Sequence, residues 1–356
     1  MSEFHFIKDN FYKNKRVLVT GHTGFKGTWL CRMLLYLGAI VTGYSLKPPT
    51  EPTLFSLADI EDTMTSVIGD IRDLEYLQKV FEKAQPEIVF HLAAQPIVRE
   101  SYKEPRYTYE TNVMGTINVL ECVRHCSAVK SFLNVTTDKV YLNSEREKAF
   151  KENEPLDGFD PYSNSKSCSE LVTHCYKNSF FADRQIAIST ARAGNVIGGG
   201  DFALDRIIPD CVRAMQAGKT IEVRNPHSVR PYQHVLEPLA VYLMIAARQF
   251  IDGKYAGYYN VGPDDCDCVT TGELVSLFCK KWGCEAKWKS KMETNAPHEA
   301  SFLKLDCSLL KNTFNWKPRW HIEEAIQKTC EFSKIWLRGG NVPKEMDKEI
   351  KEFLGN

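Results

Sequence analysis

The feature that most constrains the fold is a glycine-rich turn between an apolar strand and an apolar helix. The run Arg16–Val19 predicts a buried strand, and Trp29–Leu37 has the spacing of a buried helix. Between them Gly21, Gly24 and Gly27 stand at a G-x-x-G-x-x-G spacing. In such turns the glycines permit a tight bend, close approach of backbone to a pyrophosphate, and close helix–strand packing. This context favours a nucleotide site over a turn without a ligand.

Composition narrows the class of protein. The chain has 356 residues, enough for a large core or two domains, and a formal net charge of zero. A nucleic-acid-binding surface needs a basic excess, which is missing. No apolar run reaches the ~18 residues that span a bilayer, and the N-terminal residues contain no signal-peptide core. We therefore expect a cytoplasmic protein with no nucleic-acid or membrane partner.

The twelve cysteines do not indicate a disulfide framework. A chain of this size needs no covalent staples, and without an export signal free, buried thiols are expected. Six of them lie in apolar periodic segments: Cys31, Cys122, Cys126, Cys168, Cys175 and Cys211. There is no C-x-x-C pair, and both Cys266–Cys268 and Cys279–Cys284 have poor zinc spacing. No structural metal is predicted.

The second parallel strand is predicted at Ala39–Tyr44, where dinucleotide sites often end in an acid that holds the ribose. Here Tyr44, Ser45 and Lys47 stand at that end, and Lys47 would tolerate a 2′-phosphate. This stretch alone leaves NAD and NADP open.

Two further predicted strands end at positions suited to a cofactor. Val67–Asp70 ends in a carboxylate that either touches the adenine or caps the following helix, Leu74–Lys83. Glu87–Ala94 ends in the small residues Ala93 and Ala94, which suit a chain passing beneath a cofactor. Residues 95–105 are expected to form a loop and Tyr107–Cys122 a helix.

A polar cluster follows the next predicted strand, Val129–Val135. Thr137, Asp138 and Lys139 come directly after it, at the strand end where ligands bind in a doubly wound sheet. Charged groups are costly to place there without a function. The cluster therefore indicates chemistry rather than a solvated turn.

Tyr162 and Lys166 complete a second part of the pattern. Pro161 can begin a helix, which places the two side chains one turn apart on the same face. An ammonium beside a phenol lowers the phenol's pKa towards neutrality, so Tyr162 is expected to serve as a base. The spacing alone is common by chance; its order after the glycine turn and Thr137 is what makes it specific.

Together these segments resemble the extended short-chain dehydrogenase/reductase family, in its nucleotide-sugar branch. The resemblance is closest to the 4,6-dehydratases that act on CDP-glucose and covers nearly the whole chain. The motifs that carry it are Thr20–Gly27, His91–Ala94, Thr111–Val113, Tyr162–Lys166, Arg192–Asp201, Arg230–Pro238, Pro297–Ala300 and Leu303–Asp306.

The resemblance implies NAD as a bound cofactor in an internal redox cycle that converts CDP-glucose to CDP-4-keto-6-deoxyglucose with loss of water. It implies a catalytic group of Thr137, Tyr162 and Lys166. The implied cofactor-binding residues are Gly21, Thr23, Gly24, Phe25, Lys26, Gly27, Tyr44, Asp70, Ile71, Leu92, Ala93, Ala94, Asn112, Tyr162 and Lys166. The implied substrate-binding residues are Gln95, Arg192, Asn195, Arg206, Arg230 and His298. Each arginine could instead belong to a structural ion pair.

One departure concerns the elimination chemistry. Dehydratases of the dTDP-glucose type carry Thr-Asp-Glu, whereas this chain has Thr137-Asp138-Lys139. The resemblance implies that Asp138 is the carbon-6 acid and that Lys139 replaces glutamate as the carbon-5 base. An ordinary lysine is protonated at neutral pH, so this role requires a site that disfavours a second positive charge. The rival interpretation is that Lys139 stays charged and only holds Asp138.

The predicted fold is α/β: a Rossmann-type doubly wound parallel sheet with a smaller C-terminal substrate-binding α/β domain. The NAD-binding domain is expected at 1–190, with a return at about 233–262, and the substrate domain mainly at 191–356. The resemblance further implies a homodimer formed by the two helices around residues 107–122 and 162–175, and a place in deoxysugar biosynthesis for lipopolysaccharide O-antigen.

Two alternatives remain at this stage. A nucleotide-sugar 4-epimerase of the same fold needs Tyr162 and Lys166 but no acid–base pair after Thr137. A non-catalytic dinucleotide sensor would need neither Tyr162 and Lys166 nor an acid–base pair. The complete set of Thr137, Tyr162 and Lys166 argues against a sensor.

Overall fold

The computed structural model describes residues 10–143, 148–182, 184, 186–283, 286–291 and 303–355. At its centre lies a parallel sheet of seven strands in the order β3-β2-β1-β4-β5-β6-β11. These strands are β1 (Arg16–Thr20), β2 (Ile40–Ser45), β3 (Thr65–Ile68), β4 (Ile88–His91), β5 (Ser131–Thr137), β6 (Ala187–Ala193) and β11 (Tyr258–Val261). The predicted fold class is confirmed, and the strand order reverses between β1 and β4, where ligands bind in such sheets.

Six short strands pair outside this sheet, namely β7 (Val196–Ile197), β8 (Ile221–Val223), β9 (Val229–Pro231), β10 (Gln233–His234), β12 (Cys268–Thr270) and β13 (Trp288–Ser290). β7 pairs with β10, β8 with β13, and β9 with β12. They support the segments that follow the carboxyl end of β6.

Helices cover both faces of the sheet. In chain order they are α1 (Phe25–Tyr36), α2 (Leu54–Leu57), α3 (Leu74–Ala84), α4 (Val98–Lys103), α5 (Pro105–Tyr109), α6 (Gly115–His125), α7 (Pro161–Phe180), α8 (Ile207–Gln216), α9 (Leu236–Ile251), α10 (Thr271–Trp282), α11 (Ser308–Phe314), α12 (Ile322–Leu337) and α13 (Val342–Leu354). None of the helices within the described ranges is long and apolar enough to cross a membrane.

Three helical segments differ from the prediction. α1 begins at Phe25, four residues early, because Gly27 lies inside the helix and packs against the turn. The expected loop at 95–105 is wrong: it contains α4, in which the Ser101 hydroxyl donates to the Val98 carbonyl. The single helix predicted at 107–122 is divided by a π-helical turn, Glu110–Met114.

The chain returns to the sheet after β10. α9 packs against β5: the Ser131 hydroxyl donates to the Ala246 carbonyl at 2.9 Å, and the Gln249 amide donates to the Phe132 carbonyl at 3.0 Å. β11 then pairs with β6 as the edge strand. The predicted division of the chain into two domains stays a prediction. Side chains of α11 to α13 share one apolar core with α1 and α9.

The cysteine prediction is confirmed in part. The eleven cysteines in the described ranges are all free. Cys31, Cys122, Cys126 and Cys211 are buried as expected, whereas Cys175 is exposed on the outer side of α7.

Candidate active site

The glycine turn has the close contacts that its sequence predicts. Gly21 has φ +78°, a left-handed conformation, and a Cβ there would lie 2.8 Å from the Ala93 nitrogen. A Cβ on Gly27 would lie 2.0 Å from the Gly21 carbonyl oxygen. Gly24 is the N-cap of α1, and no side chain of the described residues caps it. The helix start is thus open for backbone N–H groups to meet an anion.

Side chains beside the turn hold the end of β2. The Thr23 hydroxyl lies 2.9 Å from the Ser45 hydroxyl and donates to the Leu46 carbonyl at 2.9 Å. Tyr44 is fully buried and donates to the Asp70 carbonyl at 2.8 Å. Tyr44 therefore supports the wall of the site with its hydroxyl already bonded.

Asp70 does not cap the next helix; Asp73 does, accepting from the Tyr76 nitrogen at 3.0 Å. The Asp70 carboxylate instead pairs with Arg72 at 2.7 Å. Burial raises the pKa of Asp70, but hydrogen bonds from Arg72 outweigh it and leave the pKa below its usual range. Ile71, which is buried, lies between this pair and Gly115.

A buried network that the sequence prediction missed supports the end of β4. The Thr20 hydroxyl lies 2.8 Å from His91 Nδ1 and accepts from the Leu92 and Ala93 nitrogens at 3.1 and 3.2 Å. Burial first, and then the charge of Lys166, lower the pKa of His91 to about 3. His91 is therefore neutral and structural, and it fixes the half-buried segment that continues into Ala94. Its place directly after an apolar strand was the available signal.

Gln95 and Asn112 bind each other. The Asn112 side chain accepts from the Gln95 nitrogen at 2.8 Å and donates to the Gln95 carbonyl at 3.0 Å. The Gln95 amide donates to Thr108 at 2.9 Å and accepts from the Ile97 nitrogen at 2.6 Å. Both side chains are buried, so they position the loop after β4 rather than present free amides.

At the end of β5 a carboxyl group is buried with one oxygen unpartnered. Asp138 is 2% exposed; its Oδ1 accepts from the Thr137 hydroxyl at 3.0 Å, and its Oδ2 has no hydrogen-bond partner among the described residues. Burial is the largest influence and raises the pKa of Asp138, against the charges of Lys139, Arg230 and Lys26 and the Thr137 hydrogen bond. The half-buried Lys139 is among the charges that act on this carboxyl.

Tyr162 and Lys166 lie on the first turns of α7, which begins at Pro161 with Asp160 as its cap. The expected pKa of Tyr162 is wrong: burial raises it to about 12, with a hydrogen bond to Thr137 opposing. Lys166 Nζ donates to the Val135 carbonyl at 3.2 Å, and burial lowers the pKa of Lys166 to about 8. Burial is the largest influence on the pKa of the phenol.

Lys26 brings a second amine to this cluster from α1. Its Nζ lies 5.9 Å from the centre of the Tyr242 ring. Burial, and the charges of Arg206 and Lys166, lower the pKa of Lys26 to about 8, with Asp138 opposing. Phe25 beside it is part of the apolar core. The mutual influence of these charges places the glycine turn, β5 and α7 around one site.

Arg230 on β9 is 5% exposed and acts electrostatically on Asp138. Its guanidinium donates to the Val229 carbonyl at 2.9 Å and forms no ion pair with a carboxylate of the described residues. A buried cation without a counter-ion is costly unless an anion binds beside it. Arg206, at the start of α8, pairs with Asp201 at 3.1 Å and acts on Tyr162.

The remaining predicted substrate residues fall in three places. Asn195 is half-buried between β6 and β7, where its carbonyl accepts from the Gln233 nitrogen at 3.1 Å. His298 lies outside the described residues. Arg192 is buried and pairs with Glu170 at 2.9 Å while donating to the Tyr141 hydroxyl at 2.9 Å. This corrects the expectation for Arg192: its guanidinium belongs to a structural ion pair.

The fold and this site define a class. A glycine turn beneath an open helix start, with Thr137 at the end of β5 and Tyr162 and Lys166 on α7, is the arrangement of an extended short-chain dehydrogenase/reductase. A buried acid, Asp138, acts electrostatically on Tyr162 in this site.

Comparison with known proteins agrees. Residues 18–329 match the family described as GDP-mannose 4,6 dehydratase. The CDP-glucose 4,6-dehydratase of Salmonella typhimurium is 46% identical over 354 residues, with 98% of each chain covered. The human dTDP-D-glucose 4,6-dehydratase is 25% identical over 350 residues, with 95% of each covered. The chain belongs to the GDP-mannose 4,6-dehydratase family of nucleotide-sugar enzymes.

Solved structures share the fold. The Bacillus anthracis dTDP-glucose 4,6-dehydratase in complex with NAD has a TM-score of 0.73 at 23% identity, covering 89% of this chain and 96% of that one. The Thermotoga maritima UDP-glucose 4-epimerase with UDP-glucose has a TM-score of 0.76 at 22% identity, covering 90% and 99%. At this identity the likeness describes the fold alone.

Proposed function

We propose that this chain is an NAD-dependent CDP-glucose 4,6-dehydratase. The observation that carries the proposal is Asp138, a buried acid with an unpartnered oxygen beside Thr137 and followed by Lys139. Oxidation at carbon 4 needs only the Thr–Tyr–Lys group. A buried acid next to it is needed for loss of the carbon-6 hydroxyl as water. The Salmonella relative, named for this reaction, supports the same activity.

NAD fits the residues at the switch point of the sheet. Gly21 and Gly27 leave no room for side chains where the turn approaches the strand ends, and the open start of α1 offers N–H groups to a pyrophosphate. Thr23, Asp70 and Ala93 would hold the parts of NAD beyond the pyrophosphate. Bound NAD would accept hydride from carbon 4 and return it to carbon 6. The cofactor is regenerated in that cycle.

In the first step Tyr162 takes the proton of the carbon-4 hydroxyl. Its high pKa in the structure means that positive charge must be added before the phenol can act, because burial opposes the phenolate. A bound cofactor would bring the cationic nicotinamide ring, which together with the Lys166 ammonium would favour the phenolate, the form that accepts a proton. Thr137, which bonds to Tyr162, orients the phenol towards the substrate hydroxyl.

In the second step the 4-ketone acidifies the carbon-5 proton, which Lys139 removes. The carbon-6 hydroxyl leaves as water with a proton from Asp138, and burial, which raises the pKa of Asp138, favours the proton-carrying form that this step needs. The enone then gains hydride at carbon 6 and a proton at carbon 5. One water is lost, and the sugar ends as a 4-keto-6-deoxy product.

Arg230 and Arg206 are proposed to bind the diphosphate of the sugar nucleotide. Arg230 is the stronger candidate, since it is buried near Asp138 and its charge has no carboxylate partner in the described ranges. Arg206 must exchange its Asp201 contact or share it. The described contacts of the site do not identify the nucleotide base. The choice of cytidine rests on the Salmonella relative.

A 4-epimerase is the second candidate, since an epimerase shares the fold. An epimerase leaves the mass of its substrate unchanged, whereas a dehydratase removes water. The test is incubation with NAD and a panel of CDP-, dTDP-, GDP- and UDP-hexoses, followed by mass analysis. Loss of water from CDP-glucose supports the proposal, while loss of water only from another nucleotide sugar would reassign the base.

We also propose a homodimer formed by α7 and the helical segment at 105–125. Leu171 and Met114 are 53% and 51% exposed on these helices, and Phe180 is 43% exposed. Leu171→Arg should yield monomers by light scattering, whereas Ile251→Arg, at an even more exposed apolar site on α9, should not. A dimeric Leu171→Arg protein would count against this interface.

A cytoplasmic role in O-antigen deoxysugar synthesis rests on family resemblance. Loss of the deoxysugar from the O-antigen when the gene is deleted would test it.

A further inference from the structure

A cluster of metal-ligating side chains lies apart from the proposed active site. Cys266, Asp267 and His321 each offer one donor atom, and these three atoms lie within 4.8 Å of one another. Cys266 and Asp267 belong to a 3-10 turn that leads into β12, and His321 is the N-cap of α12. The sequence alone does not indicate this cluster, because the imidazole comes from a segment that is distant along the chain.

The donor set is specific in its chemistry. A thiolate and an imidazole with one carboxylate suit Zn²⁺, whereas Mg²⁺ and Ca²⁺ require oxygen ligands. We propose that Cys266, Asp267 and His321 bind a zinc ion, with water in the fourth position. This site lies outside the cofactor and substrate residues proposed above.

The carboxylate of Asp267 is buried and already holds two groups in place. Its Oδ1 accepts from the Ile322 nitrogen at 2.9 Å, and its Oδ2 lies 2.8 Å from His321 Nδ1. The fold thus already brings a carboxylate oxygen and an imidazole nitrogen together, as two ligands of one ion must be. The exposed thiol of Cys266 and the 57% exposed imidazole leave a path for an ion to enter.

Further acidic groups surround the cluster and are balanced in part by lysines. Asp264 and Asp265 precede Cys266 directly, and Asp264 acts electrostatically on both Cys266 and His321. Lys311 pairs with Asp264, and Lys304 lies 3.9 Å from Asp265. Asp267 can bind the ion when its contact with His321 is replaced by coordination of both side chains to the same metal.

The location connects the metal to the substrate side. β12 follows the turn and pairs with β9, with Val269 opposite Arg230. A metal that joins the turn to the start of α12 would hold this strand pair and therefore the backbone of Arg230. The alternative is that Asp267 and His321 only cap α12, in which case no ion binds.

The test is titration of the full-length protein with Co²⁺, which gives a thiolate-to-metal absorption band when cysteine is a ligand, followed by Zn²⁺ competition. We expect one band-forming ion per chain and its displacement by Zn²⁺. Cys266→Ser should abolish the band and weaken Zn²⁺ binding by more than the ~10–100-fold typical of losing an outer-shell partner. His321→Ala should weaken it similarly.

Cys175→Ser is the matched control, because Cys175 is also exposed but lies on α7. It should keep the band. Zn²⁺ should also raise the melting temperature of the unmodified protein and of Cys175→Ser, but not that of Cys266→Ser. No band in the unmodified protein, a band that survives Cys266→Ser, or one that is lost only in Cys268→Ser would overturn the proposal. None of these readouts depends on catalysis.

Discussion

The Thr137 hydroxyl donates to Asp138 Oδ1 at 3.0 Å, while the other oxygen of this buried carboxyl has no partner in the described structure. Thr137 also bonds to Tyr162. One hydroxyl thus joins the base for carbon 4 and the acid for carbon 6. The two halves of the proposed reaction meet at this residue.

The first prediction concerns the stability cost of Asp138. Burial raises the pKa of Asp138 above its unfolded value, so protonation favours the folded state. This contribution is complete below the unfolded pKa and is lost as pH rises through the folded pKa. Asp138→Asn cannot lose a proton, so its melting temperature should exceed that of the unmodified protein at pH 7, and this advantage should fade at pH 4.

Asp252→Asn serves as the opposite control. Asp252 is exposed and its pKa is lowered by hydrogen bonds from Lys254, so its amide variant should gain nothing at pH 7. Asp138→Asn should still oxidise carbon 4 but lose water ~100-fold more slowly. Equal melting temperatures at both pH values for Asp138→Asn would mean that the buried carboxyl is not destabilising.

The second prediction separates the two roles of Lys139. If Lys139 is the carbon-5 base, Lys139→Ala should accumulate NADH and a 4-ketohexose without exchanging the carbon-5 hydrogen with deuterated solvent. Lys139→Glu should recover part of the elimination, since a carboxylate replaces the amine. NADH absorbance and deuterium content by mass spectrometry give both readouts.

Tyr162→Phe is the control for the earlier step. It should bind substrate and cofactor but oxidise carbon 4 at least ~100-fold more slowly, so no NADH accumulates. Should Lys139→Ala exchange carbon-5 hydrogen at the unmodified rate, Lys139 only holds Asp138, and another group is the base.

The third prediction distinguishes two buried arginines. Arg192→Met leaves Glu170 without its buried partner and should lower unfolding free energy by about 3–5 kcal/mol. Arg230→Met removes a charge without a carboxylate partner in the described ranges, so it should fold with little loss. Its KM for CDP-glucose should instead rise ~10–100-fold, the value of a charged hydrogen bond. Thermal melts and steady-state kinetics on both variants test this prediction. A normal KM in Arg230→Met would contradict the phosphate-binding role of Arg230.

The fourth prediction concerns the cofactor. Ser45 ends β2 beside Thr23, with no acid at that strand end. Ser45→Asp should repel a 2′-phosphate and worsen binding of NADP about tenfold or more, leaving NAD little changed. Ser45→Asn, which adds size without charge, should not. If the unmodified protein turns over better with NADP than with NAD, the cofactor assignment is wrong and Lys47 becomes the candidate ligand of the 2′-phosphate.

Local patterns predicted much of the fold. Apolar runs bounded by turn residues located the central strands: the strand predicted at Arg16–Val19 is β1, Arg16–Thr20. The π-helical turn at Glu110–Met114 was missed, since apolar spacing there still reads as one helix. The short strands after β6 were missed because pairs of two or three residues carry no period.

Site chemistry was predictable where residues are close in sequence, as in Thr137 to Lys139. It failed where a partner comes from elsewhere in the fold. Glu170 captures Arg192, and His321 meets Cys266. The pKa of Tyr162 was predicted with the wrong sign because spacing along a helix gives the neighbouring ammonium but not the burial.

The most direct measurement is conversion of CDP-glucose with NAD in deuterated water, followed by mass spectrometry of the product. The account predicts a product that has lost one water and carries one solvent deuterium at carbon 5, with no net NADH. A product of unchanged mass, or one that lost water without solvent deuterium, would contradict an internal 4,6-dehydration.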